Sequence, residues 1–149
     1  MPISETAHQL FDAFDRHDLT VIGAYLRGDF KLTGNADPLN KQGLLNLLAA
    51  YFKAFSDFDF NFTEAQEHDH VLRARYAVHG THDGTLDLNP AGIPVIIPAT
   101  GKKLALPQSS AEFTFDEDGL VAGLVLHQVP GAALADLVTA LGATLPNQP

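Results

Sequence analysis

The first half of the chain carries its hydrophobic residues at helical spacing. Apolar residues at positions i, i+3, i+4 and i+7 within residues 7–14 predict a first helix, for which Ser4 is a suitable N-terminal cap. Asp18 can cap a second, short helix that ends at Gly28, and Asn40 can cap a third. The apolar stripe of the third helix comprises Leu44, Leu48, Tyr51, Phe52 and Phe55.

The second half of the chain changes to the alternating pattern of strands. The phenylalanines within residues 58–62 alternate with polar residues, as do the apolar residues within 72–78, which predicts two half-buried strands around a polar turn at 67–70. Asp118-Gly119 predicts a hairpin, and a closing helix starts after Pro130-Gly131. Further strands are predicted at residues 30–33, 104–106, 111–115 and 120–128.

Helices followed by a run of antiparallel strands are typical of the α+β class. We expect one domain over residues 1–149, with residues 143–149 as a loose tail. A curved antiparallel sheet would wrap around the N-terminal helices, and a short C-terminal helix would complete the fold. Such a sheet leaves a cavity between the two layers, where small molecules commonly bind.

Composition and charge exclude several classes of function. Apolar residues make up 46% of the 149 residues and charged residues 18%, which is typical of a globular protein. The net charge of −9 argues against binding to nucleic acid or to anionic membrane surfaces. The absence of cysteine excludes disulfides and thiolate chemistry. Because the chain does not start with a basic run before an apolar stretch, we expect no signal peptide and a cytoplasmic location.

A long segment rich in glycine and proline runs from Asp83 to Lys103, but its residues 93–97 are strongly apolar. An exposed apolar loop is unfavourable in water. We therefore expect this segment either to cover the cavity as a lid or to pack on a partner subunit.

Five short patterns occur in order along the chain, within a stretch that runs roughly from Leu19 to Leu145. They lie at residues 25–30, 43–58, 80–84 (Gly-Thr-His-Asp-Gly), 98–102 (Pro-Ala-Thr-Gly-Lys) and 118–119. In this order and spacing they resemble the SnoaL-like polyketide cyclases. The resemblance implies a cone-shaped fold like that of nuclear transport factor 2, a homodimer, and a small-molecule ligand.

The resemblance also implies a type of chemistry, with one departure. In the cyclases that this chain resembles, an aspartate on the last strand faces the cavity and serves as general acid and base. The corresponding residues 124–131 contain no carboxylate here, and His127 lies at or next to that position. An imidazole titrates near neutral pH and can also transfer protons. The resemblance implies no metal and no organic cofactor.

Two histidines are the candidate catalytic residues. His127 shares alternation with Val121 and Val125, so we expect it to face the cavity as general acid or base. His82 shares alternation with Leu72 and Tyr76 on the buried face, and we expect it to assist. The alternatives are a core histidine bonded to the backbone for His127 and a histidine that anchors the loop for His82.

Four further residues are candidates for substrate binding. Tyr76 and Tyr51 carry hydroxyl groups on otherwise apolar faces, and each could donate a hydrogen bond to a ligand oxygen or simply belong to the core. Asn35 could line the mouth of the cavity, although asparagine also forms turns. Gln108 could face the cavity or the outer surface of the sheet, because the preceding Pro107 makes its alternation uncertain.

The histidine-rich segment at residues 67–70 (Glu-His-Asp-His) is more typical of a solvated turn than of a metal site, because no third ligand is near in sequence.

The resemblance and the candidate residues together support two hypotheses. One is a cofactor-free enzyme that cyclises or isomerises an apolar, oxygenated, polyketide-like substrate. The other is a non-catalytic module that binds such a molecule on the same fold.

Overall fold

The computed structural model describes residues 5–34, 38–132 and 134–143. Helices pack on one side of a large sheet, and the predicted helices and longer strands occur in the predicted order. The short strands Leu39–Asn40, His79–Thr81, Leu86–Asp87 and Ile96–Ile97 were not predicted. The helices are α1 (Glu5–Asp15), α2 (Leu19–Tyr25), α3 (Lys41–Ala54) and α4 (Leu134–Ala140), with a 3-10 helix at Asn89–Ala91. Within these described residues, no helix combines the length and apolar character needed to cross a membrane.

Two side-chain caps start the helices where the sequence predicts them. The Asp18 carboxylate accepts a hydrogen bond from the backbone N–H of Val21 at the start of α2, at 3.1 Å. The Asn40 side chain accepts one from the N–H of Gly43 at the start of α3, at 2.8 Å. Each cap satisfies a backbone donor that has no partner within the helix. The predicted cap Ser4 lies outside the described residues.

The main sheet has six strands in the order β2-β1-β10-β9-β4-β3, with β1 and β10 parallel and the other pairs antiparallel. Two short ribbons, β5 with β8 and β6 with β7, lie beside it. The strands are β1 (Leu26–Thr33), β2 (Leu39–Asn40), β3 (Thr63–His68), β4 (Val71–Tyr76), β5 (His79–Thr81), β6 (Leu86–Asp87), β7 (Ile96–Ile97), β8 (Lys103–Ala105), β9 (Ser109–Phe115) and β10 (Val121–His127).

Several boundaries differ from the prediction. The second helix ends at Tyr25, and Gly28 lies inside β1. The predicted strand at residues 58–62 is an irregular extended segment with a single bridge between Asp59 and His79, and the regular strand begins only at Thr63. A positive φ of 50° at Asn61 interrupts the extended backbone of this segment, and its three phenylalanines pack on the core as their alternation predicts.

Turn chemistry fixes the two hairpins that border the sheet. Asp69 and His70 both have positive φ, 48° and 66°, as a two-residue type I′ turn between paired strands requires. In the second hairpin the Asp116 carboxylate accepts hydrogen bonds from the N–H groups of Asp118 and Leu120, and Gly119 has a φ of 81°. The predicted hairpin is therefore present, and the polar turn predicted at residues 67–70 is reduced to Asp69 and His70 because β3 extends to His68.

The core lies between the inner face of the sheet and helices α1 to α3, and aromatic rings form a large part of it. Phe62 stacks on Phe11, and Phe14 and Phe60 pack against it edge-on or stacked. Phe113 of β9 continues this row onto the sheet, with its ring centroid 6.0 Å from that of Phe62. The helices are thus fixed to the sheet along one end of the cone.

The apolar loop, residues 93–97, packs mainly on its own subunit. Val95 and Ile97 are buried, whereas Ile96 is 60% exposed. The side-chain amide of Asn46 on α3 donates to the backbone carbonyl of Pro90 at 2.9 Å, which holds the 3-10 helix against α3. The loop that follows is therefore positioned beside the open side of the helical layer.

Candidate functional site

A cavity of about 780 Å³ lies between the sheet and the helices. Its wall is formed by α1, α3, α4, the inner face of the sheet, and the loop that follows the 3-10 helix. Almost all of the side chains in this wall are apolar. The polar side chains among the described lining residues are Tyr51, Tyr76 and Gln128. This composition is typical of a pocket for a largely apolar molecule that carries a few polar atoms.

Exposure of the lining residues locates the mouth of the cavity. Residues at the mouth retain partial or full solvent exposure, whereas those at the closed end are buried. The mouth includes Gly34, Leu39, Gly92, Ile93 and Gln128. The closed end includes Phe14, Leu48, Tyr51, Phe58, Tyr76 and Phe113. The apolar loop therefore contributes to the rim, as the lid hypothesis expects for part of it.

Tyr51 reaches the cavity from the helical layer. It lies on the third turn of α3, its ring stacks on Phe58 at a centroid distance of 5.0 Å, and it is 9% exposed. Burial raises the pKa of the Tyr51 phenol, and the nearby Tyr76 raises it further. The hydroxyl group therefore stays protonated at neutral pH and is able to donate a hydrogen bond.

Tyr76 reaches the same cavity from the sheet. It is the last residue of β4 and is 5% exposed, yet its hydroxyl group makes no hydrogen bond of ordinary geometry with the described part of the chain. Burial raises the pKa of this phenol, while the side chains of Gln128 and Ser109 are close enough to oppose that rise. This hydroxyl group thus lies buried beside two polar side chains without a hydrogen bond of ordinary geometry, which is unusual because buried polar groups are normally satisfied.

His127 faces away from the cavity, so its predicted orientation is wrong. A β-bulge between Val121 and Gly123 places two residues of β10 opposite one of β9, which reverses the alternation beyond it. Val125 and His127 consequently lie on the outer face. There the Nε2 atom of His127 lies 3.2 Å from Glu112, which also pairs with Arg73 at 2.9 Å.

His82 is fully buried, as its alternation predicts, but it does not line the cavity. Its Nδ1 atom accepts a hydrogen bond from the backbone N–H of Thr100 at 3.2 Å and lies 2.8 Å from the Thr100 hydroxyl group. Because Nδ1 is an acceptor, the neutral ring carries its proton on Nε2. The backbone of His82 also bonds to Gly101 and Lys102. This residue anchors the loop, which is the alternative that the sequence left open.

Burial lowers the pKa of His82, and the backbone of Ile97 and the charge of Asp83 oppose that shift.

Two carboxylates connect the segment around His82 to the residues that follow α3. Asp57 accepts hydrogen bonds from the N–H and hydroxyl groups of Thr81 at 2.7 and 3.0 Å, and Asp83 accepts one from the N–H of Ser56 at 3.0 Å. These contacts hold the imidazole of His82 against the ring of Phe55, with their centroids 5.3 Å apart, so His82 has a structural position between the loop and α3.

The two remaining candidates, Gln108 and Asn35, are not shown in the cavity either. Gln108 is exposed on the outer side of the sheet, where its side chain contacts Arg75 at 3.4 Å and Thr63 at 3.5 Å. Asn35 lies outside the described residues. Of the predicted candidates that the structure describes, it therefore brings together Tyr51 and Tyr76 but not His82, His127 or Gln108. The roles assigned to all six in catalysis or binding stay predictions.

Sequence reasoning missed Gln128 and Ser109. Gln128 follows β10 and lines the mouth because the bulge turns the even-numbered residues inward. Ser109 is 3% exposed at the start of β9, where its hydroxyl group accepts a hydrogen bond from the N–H of Val129 at 3.1 Å. Ala122-Gly123, two small residues within the strand, was the available signal, since small residues often mark a bulge.

The histidine-rich turn does not assemble a metal site. His68 pairs with Asp69 at 3.1 Å, and both side chains are almost fully exposed. Across residues 5–34, 38–132 and 134–143, no group of three or more histidine, aspartate or glutamate side chains is arranged to hold a metal ion.

Comparison with known proteins places this geometry in a family. The family described as the SnoaL-like domain matches residues 7–124. None of the curated proteins matches the chain. Among solved structures, AclR of Streptomyces galilaeus, provisionally assigned as a hydroxylase, aligns with a TM-score of 0.71 and 20% identity, over 97% of this chain and 82% of that protein.

Two further structures extend the comparison. A provisionally assigned polyketide cyclase of Xanthomonas campestris aligns with a TM-score of 0.67 and 17% identity, over 92% of this chain and 94% of that one. An uncharacterised cystatin-fold protein of Novosphingobium aromaticivorans gives 0.62 and 19%, over 85% and 100%. At these identities the structures show a shared fold, and the predicted cone-shaped α+β architecture is confirmed.

Proposed function

Because the chain belongs to the family of SnoaL-like domains, we propose that its cavity binds an apolar, oxygenated, polyketide-like molecule and promotes its cyclisation or isomerisation. The observation that carries the proposal is the cavity itself, about 780 Å³ with an apolar wall and tyrosine hydroxyl groups at its closed end. A pocket of this size accommodates a drug-sized ligand and removes most of its surface from water. The family supplies the reaction class, and the pocket supplies the kind of ligand.

The alternative is a module that binds the same kind of molecule without converting it. The observation in its favour is that neither His82 nor His127 lines the cavity. Among the described lining residues there is also no carboxylate. General acid and base catalysis normally needs a group with a pKa near the working pH, and the phenols of Tyr51 and Tyr76 titrate well above it.

A pair of tryptophan variants tests the proposal and separates it from the alternative. Ala111 on β9 lines the cavity, and Thr114 on the same strand is exposed on the opposite face. Purified Ala111→Trp, Thr114→Trp and wild-type protein would be titrated calorimetrically with cyclic aromatic ketones and with poly-β-keto thioester analogues. Products would be followed by liquid chromatography and mass spectrometry.

We expect saturable binding by wild-type protein and by Thr114→Trp, and its loss in Ala111→Trp. Cyclised or isomerised product that is also lost in Ala111→Trp supports the enzyme, whereas binding without product supports the binding module. Binding that survives in Ala111→Trp places the ligand elsewhere and contradicts both. Thermal denaturation of each variant confirms that the proteins compared are folded.

We also propose that the protein is a homodimer that pairs through the outer face of the sheet. This face carries Val125, which is 37% exposed, beside the row of Arg73, Glu112 and His127 on three adjacent strands. An apolar residue among paired charges is compatible with an interface between two copies. Sedimentation velocity should give a dimer for wild-type protein and a monomer for Val125→Asp. A monomeric wild-type protein contradicts this part of the proposal.

A cytoplasmic location, and no binding to nucleic acid or membrane surfaces, complete the proposed function. The expectation about nucleic acid and membrane surfaces is based on the net charge of −9. Fractionation of producing cells tests the location. A gel-shift assay with duplex DNA and a vesicle flotation assay with anionic lipid test the other two, and a positive result in either contradicts the charge argument.

A further inference from the structure

The hydroxyl group of Tyr76 is a buried donor in the wall of the cavity, with the polar side chains of Gln128 and Ser109 nearby. The residue is 5% exposed, lines the cavity, and makes no hydrogen bond of ordinary geometry with the described residues. Desolvation of such a group is unfavourable unless something in the site satisfies it. A ligand that places an acceptor atom beside this hydroxyl group would satisfy it.

Tyr51 also lines the closed end of the cavity and carries a second hydroxyl group. It lies on α3, opposite the sheet that carries Tyr76, and the nearby Tyr76 contributes to its raised pKa. Both are protonated at neutral pH because burial disfavours the phenolate. The closed end of the cavity consequently offers two donors from opposite walls.

Charge at this end of the cavity has nothing to pair with. No arginine, lysine, histidine, aspartate or glutamate occurs among the described residues that line it. An ionised group buried in an apolar wall without a counter-ion is strongly unfavourable. A ligand that fits must therefore be uncharged where it meets the tyrosines, and it must carry an acceptor there.

We propose that the cavity selects an uncharged ligand whose carbonyl oxygen accepts hydrogen bonds from both Tyr76 and Tyr51, and that these two phenols polarise that carbonyl. The inference rests on the proposed function and adds the chemical group by which the ligand is recognised. It makes Tyr76 and Tyr51 specificity-determining residues. Two phenol donors aimed at one carbonyl oxygen favour the charge that develops there when the carbonyl reacts.

A matched pair of rigid ligands isolates the carbonyl. Fluorene and 9-fluorenone have nearly the same shape, and the ketone adds one acceptor oxygen. We expect wild-type protein to bind fluorenone about three- to tenfold more tightly than fluorene, as one or two additional neutral hydrogen bonds would give. The infrared carbonyl stretch of bound fluorenone should lie below its value in hexane, because hydrogen bonding weakens the C=O bond.

Phenylalanine variants assign the effect to a residue. Tyr76→Phe should bind fluorene as wild type does, lose the preference for fluorenone, and shift the carbonyl stretch back toward its value in hexane. Tyr51→Phe should give a partial version of the same change. Tyr25→Phe is the control, because Tyr25 bonds to Gln9 and does not line the cavity. Fluorene binding by each variant shows that its cavity is intact.

Charge selectivity gives an independent readout. Fluorene-2-carboxylate should bind about tenfold more weakly than fluorene, or worse, since its carboxylate finds no cation in the wall. Equal binding of fluorene and fluorenone by wild type, with a carbonyl stretch as in hexane, overturns the inference and leaves the proposed function intact. Carboxylate binding as tight as that of fluorene also overturns it. Failure of both fluorene and fluorenone to bind refutes the proposed apolar cavity, and the inference with it.

Discussion

Two alanines on neighbouring strands allow the cavity to be tested by the change in unfolding free energy when each is replaced by a larger residue. Ala111 on β9 and Ala74 on β4 are direct partners in the ladder, and they are 1% and 0% exposed. Of the two, Ala111 lines the cavity and Ala74 does not. Replacement of each by leucine is thus the same chemical change at adjacent positions with different space beside them.

The expected magnitudes have opposite signs. At about 0.8 kcal/mol per buried methylene, the three added carbons of Ala111→Leu contribute about 2.4 kcal/mol. Ordering the leucine side chain opposes this by about 0.5–1 kcal/mol. We therefore expect the free energy of unfolding of Ala111→Leu to rise by about 1–2 kcal/mol. Ala74→Leu must displace packed neighbours, and we expect it to fall by about 1–3 kcal/mol.

Urea denaturation followed by far-UV circular dichroism measures both values by linear extrapolation. Because both substitutions place leucine in the middle of a strand, differences in strand propensity cancel in the comparison. If Ala111→Leu loses as much stability as Ala74→Leu, no usable space exists beside Ala111 in the folded protein. That result would refute the cavity on which the proposed function depends.

Three further predictions concern residues away from the closed end. Gly84→Ala should lower the free energy of unfolding by about 1–3 kcal/mol, because a Cβ there would clash with the backbone oxygen of Lys53. Gly28→Ala, where a Cβ would meet no atom within 4 Å, should leave it unchanged, and equal urea midpoints for the two variants would contradict the packing argument. The lowered pKa of His82 means that the unfolded chain takes up this proton first. Stability from this group should be complete above about pH 6.5 and be lost as the pH falls below it, so wild type should show a slope in unfolding free energy that His82→Gln lacks. His127→Ala should leave ligand affinity and any turnover unchanged and alter stability by at most about 1 kcal/mol, because the side chain is 54% exposed on the outer face; a loss of turnover would restore it as a catalytic residue.

The helical half of the fold was predictable because its signals are local. Asp18 and Asn40 cap the helices in which they were expected, since a cap depends on a side chain and a backbone N–H three residues away. The alternation along β4 correctly predicted that Tyr76 and His82 are buried. No local sequence pattern distinguishes a buried residue that lines a cavity from one that is closely packed, and this is the difference between Tyr76 and His82.

The error at His127 has a different origin. Alternation predicts orientation only while a strand keeps its register, and the bulge in β10 breaks it between Val121 and Gly123. The strand boundary near Asn61 shifted for a related reason, because its positive φ interrupts the extended backbone that regular pairing requires, and only a single bridge forms there. Both misses are departures from regular strand geometry that the residue types do not reveal.

The bulge in β10 means that the number of residues in this strand determines which of its side chains face the cavity. Without Ala122, the sequence from Leu124 to Gln128 would present its opposite face to the ligand, with the imidazole of His127 in the wall and the amide of Gln128 outside. Insertion or deletion of one residue, far from the mouth, would then exchange one functional group for another with no substitution in the site. The length of this strand thus determines which side chains reach the cavity, independently of the residues that line it.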